Sequence, residues 1–288
     1  MSEVESGRTG RLIVLTGASG GIGAAVAHRL AGLGDRLLLI GRRPAALEAL
    51  RAALPGGPHR IAAFDVTDEK AWAATADGLA PVGAVHGLVA AAGILGPIGP
   101  PGSWEIGAFR HTIEVNLVGT LLAVVSLLEP LRASRGAVVL FSGGGATAPL
   151  PNFDAYAATK AAVVRLAENL AVELAVDAVR VNCVAPGFVA TAIHRATIEA
   201  GPQLAGNDFY ERTRQTLEKG GDSPELAAEL TAFLLSDDAK GITGRLISAR
   251  WDPWQGAAFR ERLRNDPNLG MLRRIDDQAF VTRPEPRA

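Results

Sequence analysis

Tyr156 and Lys160 stand four residues apart in Asp154-Ala155-Tyr156-Ala157-Ala158-Thr159-Lys160, at the opening of a long apolar stretch. On a helix this spacing puts both side chains on one face, one turn from each other. A phenol titrates near ~10, too high to exchange protons readily at neutral pH. A neighbouring ammonium stabilises the phenolate and is expected to lower that value toward the range in which a general acid/base works. Tyr-x-x-x-Lys alone is a common surface pattern. It gains meaning from a glycine-rich loop near the start of the same chain.

That loop follows Arg11-Leu12-Ile13-Val14-Leu15-Thr16, which reads as a fully buried strand, and precedes a helix to about Leu33. Between them lie Gly17, Ala18, Ser19, Gly20, Gly21, Ile22 and Gly23. A strand, a glycine turn and a helix start present backbone N–H groups to a phosphate. Gly17 is expected to make the tight turn, Gly21 to let the backbone approach a pyrophosphate, and Gly23 to permit close helix–strand packing. A glycine turn without a ligand is the alternative, but the order strand, glycines, helix favours a dinucleotide. The second strand, Arg36 to Ile40, ends at Gly41-Arg42-Arg43. An NAD site is expected to carry a carboxylate here for the ribose 2′-hydroxyl, and none is present. Arg42 and Arg43 suit a 2′-phosphate through forked, charge-assisted hydrogen bonds, or they are solvated residues before a helix starting at Pro44. This pattern favours NADP(H), with NAD as the alternative cofactor.

The remaining elements are those needed to carry the two motifs to one edge of a sheet. Strands are expected at 60–64, ending at Asp65-Val66, at 85–92, closing on Ala92-Gly93, and at 137–141, 179–184 and 244–248. Helices alternate with them: one capped by Thr67-Asp68, one from about Ser103 to Leu131 with Asn116 inside it, the Tyr156 helix, and one opened by Ser223-Pro224. Asn116 needs partners if buried, and would hold either a kink or a water in a proton relay. This alternation implies right-handed crossovers and a single doubly wound α/β domain, a Rossmann fold with a parallel sheet of about seven strands. Ser142 to Thr147 and Pro186-Gly187-Phe188-Val189-Ala190-Thr191 leave carboxyl ends of strands, where such folds bind ligands. Residues 192–222 read as an irregular, amphipathic lid.

Composition narrows the class. The chain has 288 residues and a formal charge of −1, with 29 basic and 30 acidic side chains, so no nucleic-acid partner is indicated. A single cysteine, Cys183, rules out an internal disulfide, and the histidines show no metal-ligand spacing. No uncharged apolar run approaches the roughly 20 residues of a membrane helix, and the polar N-terminus is unlike a signal peptide. The expectation is a cytoplasmic protein with no membrane partner. It divides into a flexible N-terminus (1–10), the α/β domain (11–250) and a C-terminal extension (251–288) holding Leu263, Leu269, Met271, Leu272, Ile275 and Phe280. Trp251 and Trp254 leave the sheet edge, either as a pocket wall or as core. His194, just past Thr191, is either a substrate contact or a solvated helix residue.

Over about Arg11 to Ala249 these motifs resemble the short-chain dehydrogenase/reductase (SDR) family: Thr16 to Gly23, Asp65-Val66, Asn116, Tyr156 with Lys160, and Pro186-Gly187 with Thr191. The resemblance implies that Tyr156 exchanges the proton with the substrate oxygen. Lys160 would bind the nicotinamide ribose and tune Tyr156, Asn116 would anchor a relay water, and Asp65-Val66 would contact the adenine. Val189, Thr191 and the backbone after Pro186 would hold the carboxamide end of the cofactor. It also implies a homodimer or homotetramer and a small-molecule alcohol or carbonyl substrate. Two positions depart from the pattern. The family's catalytic serine, thirteen residues before the tyrosine, is Gly143 here, leaving Ser142, Thr147 or backbone N–H groups to orient the carbonyl. The family's Asn-Asn-Ala-Gly is Ala90-Ala91-Ala92-Gly93. The expected function is NAD(P)(H)-dependent interconversion of an alcohol and a carbonyl. The alternative is a dinucleotide-binding sensor or scaffold with weakened turnover.

Overall fold

Buried, β-rich runs separated by amphipathic helices produce one sheet with helices on both faces. The computed structural model describes residues 10–274. Met1 to Thr9, Ile275 and Phe280, which figured in the expectations above, lie outside the described residues. Seven strands, β1 (Leu12–Thr16), β2 (Arg36–Gly41), β3 (Arg60–Ala63), β4 (Gly87–Ala90), β5 (Ala137–Phe141), β6 (Arg180–Ala185) and β7 (Leu246–Ser248), form a parallel sheet in the order β3-β2-β1-β4-β5-β6-β7. Side chains alternate across it. Ile13, Leu15, Leu37 and Leu39 enter one core layer, and Leu12, Val14, Leu38 and Ile40 enter the other.

The helices are α1 (Gly21–Gly32), α2 (Pro44–Ala53), α3 (Glu69–Leu79), α4 (Ile106–Ile113), α5 (Gly119–Ser126), α6 (Leu128–Ser134), α7 (Asp154–Glu173), α8 (Ala192–Ala205), α9 (Asn207–Glu218), α10 (Pro224–Leu234) and α11 (Ala257–Asn265). Helices α1 and α10 pack together over one face, while α3, α5 and α7 contribute to the core of the other. Asp68 caps α3 by accepting a hydrogen bond from Ala71 N at 3.0 Å, and Ser223 caps α10 through Glu225 N at 3.2 Å.

Two expectations need correction. The helix expected from Ser103 to Leu131 is three pieces: α4 passes through a π-helical turn, Glu114–Val118, into α5, and α6 restarts after Leu127. Pro130 explains the second break, since its ring lacks an N–H and clashes with the carbonyl four residues back. The segment 192–222, read as irregular, is largely helical. Its turn residues only interrupt the helices, at Gly201 (φ +77°) and Gly206 (φ +82°). The stretch Ile106–Ser126 is apolar and long, with mean hydropathy 1.3. Its Ala123 and Val124 are in the core beside β4, the position of a sheet-covering helix.

After β7 the chain stays on the domain. Trp254 is buried and stacks on Phe233 with centroids 5.8 Å apart, and Leu263 of α11 joins the same core layer. Farther on, Leu246 N donates to Gly270 O at 2.6 Å and Leu272 N to Glu168 at 2.6 Å, so this segment lies along the outer edge of β7. Covering an edge strand in this way removes a free pairing surface.

Candidate active site

The strand order reverses between β1 and β4, opening a crevice at their carboxyl ends. The glycine loop fills it with backbone. Gly17 has φ +65°, and a Cβ there would lie 2.6 Å from Ala92 N and 2.8 Å from the Ala91 carbonyl. A Cβ on Gly23 would overlap the Gly17 carbonyl oxygen, while Gly20 N donates to that oxygen at 3.0 Å. Only glycine fits either place. The N-terminus of α1 has no side-chain cap, so its first N–H groups are left for another acceptor.

Gly17, Ser19, Gly20, Arg42, Arg43, Asp65, Val66, Ala92 and Gly93 line a cleft of about 410 Å³. Arg42 is exposed, 3.8 Å from Asp65 Oδ2, and Arg43 donates to Ser19 O at 3.2 Å. Burial works to raise the Asp65 pKa, but hydrogen bonds from Thr67 N and Oγ1 and the Arg42 charge outweigh it, so the carboxyl sits below its ordinary range. A cleft with a side-chain-free cradle at one end and two guanidiniums at the other fits the adenosine and phosphates of a dinucleotide.

Gly93 leads toward the second motif: a Cβ there would lie 3.2 Å from Asn116 Oδ1 and 3.5 Å from Lys160 Nζ. Asn116 sits in the π turn, 1% exposed, with every side-chain group engaged. Its Oδ1 accepts from Ile94 N at 2.8 Å, and its Nδ2 donates to Ile94 O at 2.9 Å and Thr159 Oγ1 at 3.0 Å. It therefore ties the loop after β4 to α7. Lys160 is buried, donating to Phe141 O at 2.9 Å with its Nζ 5.6 Å from the Tyr156 ring centroid.

Burial pushes Tyr156 up to about 12 and Lys160 down to about 8, with only a weak opposing influence on Lys160 from Cys183. This reverses the expected lowering of the phenol. The ammonium is held by the Phe141 carbonyl, and loss of water around the hydroxyl is what raises the phenol.

Ser142 does not reach the cleft. It is 2% exposed, its N donates to Val184 O at 3.0 Å, and its Oγ donates to Lys160 O at 3.3 Å. The sheet pleat turns it toward α7 and turns the next residue toward the ligand side. Gly143 meets Tyr156 there: a Cβ on Gly143 would overlap Tyr156 Oη and lie 3.2 Å from Cζ. Thr147 does line a cavity on the Tyr156 side, with Gly143 and Gly144.

Beyond Tyr156 a second cavity of about 510 Å³ is bounded by Pro186, Gly187, Val189, Thr191, His194 and residues of α8, α9 and the segment after β7. It adjoins the first cleft along the glycine loop, Gly20 lining the first and Ile22 the second. Sequence reasoning missed Asp222 here. Its Oδ2 accepts from Phe188 N at 2.7 Å, its N donates to Phe188 O at 2.8 Å, and Arg250 Nε approaches Oδ1 at 3.3 Å. This clamp fixes Gly187 at φ +87°. The only local signal was an unneeded carboxylate just before the Ser223 cap. The two tryptophans part company: Trp254 is core, and Trp251 is 79% exposed at the cavity rim. His194 lines the cavity, its ring 3.7 Å from that of Phe188. No cluster of metal-ligating side chains occurs among the described residues.

A family model described as enoyl-(acyl carrier protein) reductase matches residues 17–249. Levodione reductase of Leifsonia aquatica is 31% identical over 261 residues, covering 87% of this chain and 96% of that one. A crystal structure of levodione reductase superposes with a TM-score of 0.75 at 30% identity, covering 86% of this chain and 98% of its own. A structure from Beutenbergia cavernae, described as an NAD(P)-dependent gluconate 5-dehydrogenase with NADP bound at low occupancy, is 30% identical with a TM-score of 0.72, covering 84% and 95%. Crevice, glycine cradle and relatives agree, and the chain belongs to the short-chain dehydrogenase/reductase family, the NAD(P)-dependent oxidoreductases of alcohols and carbonyls.

Proposed function

We propose that this protein is an NADP(H)-dependent carbonyl reductase/alcohol dehydrogenase in which Tyr156 exchanges the proton. The observation that carries the reading is that the two cavities lie side by side along the glycine loop, Gly20 lining the first and Ile22 and Tyr156 the second. The nicotinamide, when bound, supplies or accepts the hydride. The partly buried phenol keeps its proton at neutral pH, the state a proton donor to a carbonyl oxygen needs. Lys160 uses one ammonium N–H on Phe141 O, leaving donors for ribose hydroxyls. Asn116 positions rather than reacts, holding the Ile94 loop against α7. Asp222 fixes the Pro186–Thr191 turn on which the carboxamide end would rest. Arg42 and Arg43 support a 2′-phosphate.

The alternative of a sensor with weakened turnover rests on Gly143. NADPH and NADH oxidation with a panel of ketones, alongside Tyr156→Phe, separates the two. Cofactor binding without turnover on any ketone would favour the sensor. The exposed apolar residues Ile106, Leu121, Val125 and Val172 on α4, α5 and α7 support a homodimer or homotetramer built on those helices. Light scattering of the protein and of a Val125→Glu, Val172→Glu variant tests this, with a wild-type monomer at micromolar concentration as the opposing result.

A further inference from the structure

Most of the wall of the cavity beyond Tyr156 is apolar. Leu95, Phe153 and Ala205 form a separate small apolar cluster, with Leu150, Ile193 and Phe209 packed against it. The Phe153 and Phe209 rings lie 4.8 Å apart. Phe188, Leu246 and the rim residue Trp251 line it as well.

The charged side chains lining this cavity are Asp222 and Asp252, and no lysine or arginine is among the lining residues. Both carboxylates are in use. Asp222 holds Phe188 N and faces Arg250, and Asp252 Oδ2 accepts from Ser248 N at 2.8 Å. Arg250 itself is taken up by Asp222 and lies 5.2 Å above the Trp251 ring. Burial keeps His194 below its ordinary pKa, so it adds no cation at neutral pH.

Three of the four serine and threonine hydroxyls lining the cavity already have a partner, Thr147 being the fourth. Ser248 Oγ accepts from Trp251 N at 3.1 Å, Thr197 Oγ1 reaches Ile193 O at 3.5 Å, and Thr191 Oγ1 lies 3.5 Å from His194 Nδ1. An anion brought here loses water, finds no counter-cation and faces two carboxylates. A polyol leaves several hydroxyls against hydrocarbon. A neutral apolar ring gains from both kinds of wall.

We propose that the space this cavity keeps beside the cofactor's carboxamide end takes a neutral, largely apolar ring ketone or the matching secondary alcohol, and rejects carboxylate-bearing and polyhydroxylated analogues. The proposal rests on the reading of Tyr156 as proton donor at a carbonyl, and the test keeps the two separable.

With NADPH and the purified protein, kcat/KM is compared for 4-tert-butylcyclohexanone, 4-oxocyclohexanecarboxylate, the methyl ester of that acid, and a ketohexose. Acid and ester share one ring, so their ratio isolates the charge. The ester and the alkyl ketone are expected to exceed the acid by about 100-fold, the scale of an uncompensated like-charge contact. Asp252→Asn, which keeps an acceptor for Ser248 N, is expected to raise the acid severalfold and leave the ester unchanged. An acid as good as its ester, or a hexose better than both, overturns the proposal.

If no ketone turns over, the same ligands are titrated against the Trp251 fluorescence of the Tyr156→Phe protein, with Trp251→Phe as the control. Ester binding without acid binding then upholds the cavity's selectivity and tells against the reaction. Equal or tighter acid binding overturns the selectivity itself.

Discussion

The two cavities at the carboxyl edge of the sheet are built from different materials. The cleft at Gly17 is made from the four neighbouring turns after β1, β2, β3 and β4, with backbone so close at the glycine loop that Gly17 and Gly23 tolerate no side chain. The cavity at Tyr156 is made of side chains from segments far apart in the chain, from Leu95 to Asp252. Backbone binds what all dinucleotides share, and side chains choose what is particular to one substrate. A change in the first should therefore act on every ligand and on stability, and a change in the second should act on chemistry or selectivity.

The largest effect belongs to the junction of the two. Tyr156→Phe removes one oxygen and leaves the ring that packs beside Leu95 and Phe153. It is expected to lower kcat by about 10³-fold while leaving cofactor affinity little changed, as read by stopped-flow turnover and fluorescence titration. Gly17→Ala comes next and behaves oppositely. Its φ of +65° and the 2.6 Å approach to Ala92 N demand a backbone shift. Loss of about 2–4 kcal/mol in urea unfolding is expected, with NADPH and NADH binding weakened alike. Selective weakening of one cofactor would show that the cradle also discriminates.

This contrast explains what could be read from the sequence. Gly17 and Gly23 were legible because steric exclusion leaves glycine no substitute, and most of the seven strands because they are short runs of apolar residues. The break at Leu127 was also written, in Pro130, but the apolar pattern on either side outweighed it. Asp222 was not legible: its partner Phe188 is 34 residues away, and only the fold brings them together. Nor was the fate of the tryptophans, since Trp251 and Trp254 stand three residues apart in sequence and one is exposed while the other is buried. The reversed Tyr156 pKa was hidden for a further reason. Spacing gives the angle between two side chains on a helix, and not the carbonyl that takes the ammonium first.

Smaller effects sharpen the same comparison. Arg42→Ala with Arg43→Ala acts at the far end of the backbone cleft, where side chains alone distinguish cofactors. NADPH affinity is expected to fall about 30-fold, the scale of one or two charge-assisted hydrogen bonds, with NADH affinity little changed. Equal losses would return the arginines to the role of solvated loop residues. Lys160 gives a test by pH. Its native pKa of about 8 lies below the ordinary 10.5, so between these values the unfolded chain binds more protons than the native one. The penalty for burying the charge is present below pH 8, and stability from this group rises as pH climbs from 8 toward 10.5. Catalytic efficiency is expected to fall over the same interval as the ammonium disappears, and Lys160→Met should remove the rise in stability. Activity and stability moving in the same direction would contradict this assignment.

The smallest effect is expected at Ser142, and its smallness is informative. The hydroxyl lies beside the sequence position where the family resemblance places a serine, and chemistry alone would nominate it as the replacement. Its surroundings argue otherwise: it is 2% exposed and spends its hydrogen on Lys160 O across 3.3 Å. A long, neutral bond of that kind contributes little, about 0.5–1 kcal/mol. Its donor faces α7, so it cannot orient an oxygen held at Tyr156 without breaking the β5 path. Ser142→Ala is therefore expected to change kcat by less than about threefold and to lower stability by less than about 1 kcal/mol. Gly143→Ser provides the matching test on the other side of the pleat. Its new Cβ meets Tyr156 Oη, so the ring must give way before the hydroxyl can help. If Gly143→Ser raises kcat while Ser142→Ala leaves it unchanged, the ligand-facing position is 143, and the native enzyme works there with backbone alone. A large loss of kcat in Ser142→Ala, with stability kept, would mean that the loop turns over during catalysis and presents Ser142 to the substrate.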